Sequence, residues 1–263
     1  MDKKSLECEI NRSWYMCIIG YISFFTIVPI KIYSLIEDMA HYAWVLPFIG
    51  AFIGVFVGGF GYFIGDLLSL PTILVAGLTY AFSLWFQGFH HLDGLMDLGD
   101  GLMAHGTPER KIEIIRDMNI GTGGISLFFI VGLISFGSIA SIPNGLIGIS
   151  IFIAEVSSKM GLMGACSIST PISDGTGKHF IEKIDIRYLI LSLIPTIIVM
   201  YLLFNIIGVI GIIAGTIGGI LIAYYVKRDM KYATGDLLGA SNEIAKAITL
   251  VTIIIYLKMT QII

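Results

Sequence analysis

Long stretches of this chain carry no Asp, Glu, Lys or Arg: Trp44 to Gly65, Leu67 to Phe89, Thr122 to Ala154, Tyr188 to Val226 and Ala247 to Leu257. A helix needs about 20 apolar residues to cross about 30 Å of hydrocarbon. Tyr188 to Val226 is long enough for two crossings, with a break near Asn205–Gly208. The run from Thr122 through Gly164 divides at Ser141–Ile142–Pro143–Asn144–Gly145. The pattern predicts seven spans: 44–65, 69–89, 123–141, 145–164, 188–205, 208–226 and 243–262. The runs are solidly apolar rather than alternating, which excludes a β-barrel. The expected fold is all-α, a polytopic membrane bundle forming one domain. Charged residues make up 13% of the chain, against roughly a quarter in soluble domains, so a water-facing surface cannot be clothed. The 31 glycines, many inside the spans, suit close helix packing.

The first 43 residues read differently. Trp14 to Ile30 is apolar but at the short end for a crossing, and 31–43 mix Lys31, Glu37, Asp38 and His41 with apolar residues. Residues 1–43 are expected to form an interfacial or re-entrant segment, and 44–262 the bundle, with polar loops at 90–122, 165–187 and 227–242. No small-residue cleavage site follows the first apolar run, so a cleaved leader is not expected.

Charge placement orients the spans. Lys3, Lys4, Arg12 and Lys31 precede the first; Arg110, Lys111 and Arg116 follow the second; Lys178, Lys183 and Arg187 follow the fourth; Lys227, Arg228 and Lys231 follow the sixth. The connections on the other side, around 66–68, 142–144 and 206–207, hold no Lys or Arg, and only Lys258 falls there. The positive-inside rule makes the charged side cytoplasmic. The expectation is a multi-pass protein of the cell membrane whose active site opens to the cytoplasm. Cys8, Cys17 and Cys166 have no CxxC spacing and suggest neither a disulfide framework nor a thiolate metal site. The net charge of −3 with no basic run gives nothing for nucleic acid to bind.

The richest stretch is His90-His91-Leu92-Asp93-Gly94-Leu95-Met96-Asp97-Leu98-Gly99-Asp100-Gly101. If it is helical, Asp93, Asp97 and Asp100 stand at i, i+4 and i+7 on one face. Three carboxylates so placed repel one another, and a divalent cation removes the conflict. Hard oxygen ligands suit Mg²⁺, which leaves coordination sites for water and substrate phosphate. Gly94, Gly99 and Gly101 are read as leaving room for a large substrate. A solvated helix end with three acids and no ion is the plain alternative. His91, beside the acids, is a candidate general base, since imidazole titrates near neutrality.

Three further groups face the same side. Thr107 reads as an N-cap and Pro108 as the first residue of an interfacial helix with Ile112 and Ile115 inward. Beyond it, Arg116 is a candidate phosphate fork, with Asp117 beside it where the chain re-enters the membrane. Glu155 and Lys159 lie four apart inside the fourth span, where ionisable residues are costly and either pair or serve function. Thr234-Gly235-Asp236-Leu237-Leu238-Gly239-Ala240-Ser241-Asn242-Glu243 supplies Asp236, Asn242 and Glu243 as oxygen ligands; otherwise Ser241 is an N-cap and Glu243 compensates the helix dipole.

His91-Leu92-Asp93-Gly94 … Asp97 … Asp100-Gly101, then Arg116-Asp117 … Ile120-Gly121, then Thr234-Gly235-Asp236-Leu237-Leu238-Gly239-Ala240 … Glu243, resemble the cobalamin synthase (adenosylcobinamide-GDP ribazoletransferase) family. Phe24-Phe25-Thr26 … Pro29 is similar to that family's opening segment, with Ile27 where an Arg is usual; Asn119 likewise stands where the family often has Arg. The resemblance runs over most of the chain. It implies the last step of adenosylcobalamin assembly: a hydroxyl of α-ribazole or its 5′-phosphate attacks the β-phosphorus of adenosylcobinamide-GDP, and GMP leaves. It also implies Mg²⁺. On this reading Asp93, Asp97 and Asp100, with Asp236 and Glu243, hold the metal. His91 or one of the acids takes the hydroxyl proton, while Arg116, Asp117, Asn242 and Lys159 meet substrate. Three other readings stay open: a CDP-alcohol phosphotransferase, similar in acid spacing only, a cation transporter, and a purely structural membrane subunit, which would not need the acidic block. Oligomeric state stays open too, a homo-oligomer included.

Overall fold

The computed structural model describes residues 14–30 and 34–262. Lys3, Lys4, Arg12, Lys31 and Cys8 therefore lie outside the described residues. Eleven α-helices follow in order: α1 Trp14–Phe25, α2 Ile36–His41, α3 Leu46–Tyr62, α4 Thr72–Phe86, α5 His90–Met103, α6 Pro108–Ile115, α7 Thr122–Ala140, α8 Asn144–Ile168, α9 Gly177–Lys183, α10 Ile186–Met230 and α11 Gly235–Met259. Among the described residues five helical segments are long and apolar enough to cross a membrane, Ala43–Leu67, Thr122–Ala140, Asn144–Ile168, Ile186–Met230 and Gly235–Met259, or six if the bent pair Thr72–Phe86 and His90–Met103 counts as one span. The chain is thus an all-α, multi-pass membrane bundle.

The sequence breaks fall where expected. Ile186–Met230 is continuous by hydrogen bonding, yet Asn205 inside it has φ 56° and ψ −148°, and Gly208 lies against the Met200 carbonyl. The chain therefore reverses there and forms two arms. α1, with 12 residues, is only about 18 Å long at 1.5 Å per residue, too short to cross by itself. Thr107 caps α6, its hydroxyl accepting from the Arg110 amide at 3.4 Å, and Ile112 and Ile115 are buried as their spacing predicts.

Burial ranks the spans. Of the most apolar window of α8, 78% is buried inside the protein, against 22% for α10, so α8 is the central post and α10 faces lipid. The post is held by small residues. Gly50 of α3 sits against the Glu155 carbonyl of α8, Gly54 against Phe152, and Gly58 against the Gly148 carbonyl. Without a hydrophobic driving force in lipid, this close backbone approach supplies the packing energy.

Two boundaries differ from expectation. The expected 69–89 span ends at Phe86. Gly88 (φ 65°) and Phe89 (φ 60°) are both left-handed, and the Phe89 amide bonds back to the Leu84 carbonyl at 3.1 Å. The chain then turns by 92° into α5, which leaves the direction of α4 and runs along one end of the bundle. The last span begins at Gly235 rather than 243, so the 227–242 loop shrinks to a short link. Ser241 is no cap: it is mid-helix, its hydroxyl donating to the Leu238 carbonyl at 2.9 Å. Asn242, expected in the loop, and Glu243, expected at the first position of the span, are both inside the helix, and each finds a partner in the bundle.

Candidate active site

α5 is a regular helix, so its acids share one face. Gly94 rests on the Asp236 backbone of α11, where an added Cβ would come within 2.8 Å of the carbonyl oxygen. Gly99 rests on Gly123 of α7, where a Cβ would meet that carbonyl at 2.8 Å, and Gly101 lies against Ile115. The expectation that these three glycines leave room for substrate is corrected: their spaces are filled by neighbouring helices, and this lets α5 lie tightly on α11, α7 and α6. Close contact at Gly94 brings Asp236, from the far end of the sequence, beside Asp93 and Asp97.

The acids divide by what they already hold. Asp100 accepts from the Gly121 amide at 2.7 Å and the Gly124 amide at 2.8 Å. Both of its oxygens cap the start of α7, so Asp100 is committed to the fold. Asp93 and Asp97 form no ion pair among the described residues. Asp97 is pushed up to about 7, first by partial burial and then by the carboxylates of Asp93, Asp236 and Asp100. That elevation is the electrostatic mark of uncompensated acids. No three His, Cys, Asp or Glu side chains among the described residues stand close enough to hold a metal by themselves. The unspent acids are Asp93, Asp97 and Asp236, which suits an ion that takes a few carboxylates and completes its shell with phosphate oxygens.

The cation and loop at this face come from elements the sequence did not link. Arg116 forks onto Asp174, Nη2 to Oδ1 at 2.7 Å and Nη1 to Oδ2 at 3.2 Å. The pairing raises the guanidinium pKa and holds the Asp174 carboxyl below its ordinary value. Asp117 does not join this fork; its Oδ1 accepts from the Asn119 amide and side chain, at 3.1 and 2.7 Å, and shapes the turn into α7. A short backbone pairing ties the Asp174 loop to the start of α11: the Ala233 amide donates to Thr170 at 2.8 Å and the Ile172 amide to Ala233 at 3.1 Å.

Between these elements lies a cavity of about 160 Å³, lined by Phe24, Phe25, His90, His91, Leu162, Thr176, Gly177 and Phe180 and, from the start of α11, by Gly235, Asp236, Leu238 and Gly239. His91 is 6% exposed and its Nδ1 has no hydrogen-bond partner. Burial, with the Lys159 and Lys246 charges behind it, holds its imidazole neutral, with a pKa well below the ordinary value. Thr176 and Phe180 carried no signal in the sequence, since a loop gives no periodicity to read.

Glu243, Asn242 and Lys159 lie elsewhere, in a buried network. Lys246 bridges Glu155 (3.0 Å) and Glu243 (3.2 Å). Ser83 donates to Glu155 at 2.8 Å, and Gln87 also reaches that carboxylate at 3.3 Å. Lys159 donates to Asn242 at 2.7 Å and to Gln87 at 3.3 Å, and its ammonium lies 4.9 Å from the Phe25 ring centre. Glu155 and Lys159 do not pair with each other; Glu155 meets Ser83 and Lys246, and Lys159 meets Asn242 and Gln87. Glu243 is spent in the bundle on Lys246 and Asn242, so it is not among the unspent acids of the α5 face. Lys246 was legible as a partner: it stands one helical turn after Glu243.

Comparison with known proteins places the chain. The family model described as cobalamin-5-phosphate synthase matches residues 17–254. Adenosylcobinamide-GDP ribazoletransferase of Methanosarcina mazei is 28% identical over 95% of this chain and 95% of its own length. The protein of the same name from Methanococcoides burtonii is 30% identical over 83% of each chain, and that of Pyrococcus furiosus is 30% identical over 87% of this chain and 95% of its own. No solved structure matches. The chain belongs to the cobalamin-5-phosphate synthase family.

Proposed function

We propose that this protein is the membrane transferase that joins α-ribazole, or its 5′-phosphate, to adenosylcobinamide-GDP with release of GMP, the final step of cobalamin assembly. Membership of the family and the names of its relatives support the reaction. The observation that carries the site is the crossing at Gly94, where α5 and α11 bring Asp93, Asp97 and Asp236 together from two separate motifs.

Asp93, Asp97 and Asp236, completed by substrate phosphate, would hold Mg²⁺, which would supply neutralisation of the charge that develops during displacement at phosphorus. The attacking hydroxyl oxygen forms the new bond to the β-phosphorus as the bond from that phosphorus to the GMP oxygen breaks. His91, lining the same cavity as Asp236, or one of the acids takes the hydroxyl proton. Arg116 stands at the rim and releases Asp174 to fork onto a substrate phosphate. Asp100 holds α5 to α7 and keeps the acid face in register. The charged end of the bundle faces the cytoplasm.

The test is direct. Purified protein in proteoliposomes receives Mg²⁺, adenosylcobinamide-GDP and α-ribazole, and products are read by mass spectrometry. GMP and a ribazole-bearing corrinoid should form in equal amounts with wild type and not with Asp97→Asn. Near-normal turnover in that variant removes the acid face from the mechanism.

A further inference from the structure

The cavity beside the acids has one feature that phosphate chemistry does not call for, its aromatic walls. Phe24 at the end of α1 and His90 at the start of α5 are nearly parallel, 12° apart, with ring centres 6.3 Å from each other. Phe25 stands edge-on to Phe24 at 5.1 Å and packs against His91 at 5.3 Å. Phe25 is fixed from behind by the Lys159 ammonium, 4.9 Å from its centre, and is 4% exposed, whereas Phe24 is 42% exposed. One wall is therefore rigid and the other faces the opening. Phe180 and Leu238 close the remaining apolar sides.

We propose that this cavity is the subsite for the planar base of the acceptor nucleoside, a bicyclic ring with an apolar edge, and not for guanine. The inference rests on the transfer reaction proposed above. Size admits one ring: about 160 Å³ is close to the roughly 150 Å³ cavity that takes up benzene, so the six-membered ring of the base enters and the second ring stands at the opening beside Phe24. Aromatic and imidazole faces are surfaces on which bases stack. Guanine would bring an amide edge and an amino group, which need hydrogen-bond partners once buried. The polar side chains of the lining are His90, His91, Thr176 and Asp236, and Asp236 is one of the acids assigned above to the metal. Reach agrees as well. Asp236 and His91 line the cavity itself, so a base held there brings its own ribose hydroxyls beside them, whereas guanine held there would be separated from the β-phosphorus by a ribose and a further phosphate.

The experiment measures α-ribazole and GMP binding by calorimetry to the full-length protein in nanodiscs, for wild type, Phe24→Ala, Phe24→Tyr and His90→Ala. Loss of one stacking face should weaken α-ribazole about tenfold. GMP affinity should change less than about twofold, and Phe24→Tyr, which keeps the ring, should restore α-ribazole binding. The proposal is overturned if GMP weakens while α-ribazole holds, if neither changes, or if both weaken and Phe24→Tyr does not restore α-ribazole. Turnover in the same preparation separates the two readings. A wild type that turns over, with Phe24→Ala raising KM for adenosylcobinamide-GDP and not for α-ribazole, sinks the subsite and leaves the transferase standing. A wild type that binds α-ribazole through Phe24 yet releases no GMP sinks the transferase reading.

Discussion

Two clusters of charge face each other across α11. On its first turn, Asp236 joins Asp93 and Asp97 in a group with no ion pair of their own among the described residues, and the nearby Arg116 is forked onto Asp174. Deeper in the same helix, Glu243 and Lys246 join Glu155 and Lys159 in a set of two acids and two bases, all 2% exposed or less. One cluster is unbalanced and open; the other is balanced and sealed. Buried charge persists in an apolar bundle only when it is paired and hydrogen-bonded. The unbalanced acids are tolerable because water reaches them: Asp93 is exposed, and Asp97 and Asp236 are only partly buried. The contrast separates a site for a ligand from a joint between helices, although both look alike as polar letters in apolar sequence.

Substitutions can break this contrast. The largest effect is expected from Lys246→Met, which leaves the Glu155 and Glu243 carboxylates facing each other without their shared ammonium; the loss should be about 3–5 kcal/mol, read from unfolding in mixed micelles. Lys246→Met with Glu243→Gln should recover part of it. A single variant as stable as wild type would remove the joint. Next comes Asp100→Ala, which uncaps α7 and should cost about 1–2 kcal/mol by the same measurement. Asp97→Asn should cost nothing, because it relieves repulsion. Equal losses from the two would mean that Asp97 also is committed to the fold.

A third variant sharpens the electrostatics without touching the bundle. Asp93→Asn removes the first of the neighbouring charges that raise Asp97, so its titration midpoint should fall from about 7 toward the ordinary range, followed by carboxyl infrared bands. The fold disfavours ionised Asp97, so in wild type without divalent ions stability falls as pH rises from the ordinary carboxylate value to about 7. The variant should narrow that window. The smallest effect is at the rim. Asp174, held below its ordinary value by Arg116, contributes above that value, and the contribution disappears as pH falls through the lowered one. Because the pair is exposed, Asp174→Asn should leave the melting temperature within error while easing phosphate access to Arg116, seen as a lower KM for the donor.

Much of this was legible because helices write their faces into spacing. Asp93, Asp97 and Asp100 were placed on one face by their four- and seven-residue separations, and the Asn205 reversal by an interruption in an apolar run. The role of Gly94, Gly99 and Gly101 was not, because a glycine marks a close approach without naming what approaches. The start of α11 was misjudged because Asn242 and Glu243 read as polar until their partners in the bundle are seen. Asp174, Thr176 and Phe180 come from a loop and a short helix whose positions follow from packing alone.

The central claim is that the α5–α11 acids hold a divalent cation and the buried quartet does not. Thermal melting with and without Mg²⁺ tests it directly, since an ion that binds the folded state alone raises stability by mass action. Mg²⁺ should raise the melting temperature of wild type and of the Lys246→Met, Glu243→Gln pair alike, and fail to raise that of Asp97→Asn. The same Mg²⁺ shift in Asp97→Asn as in wild type would contradict the account.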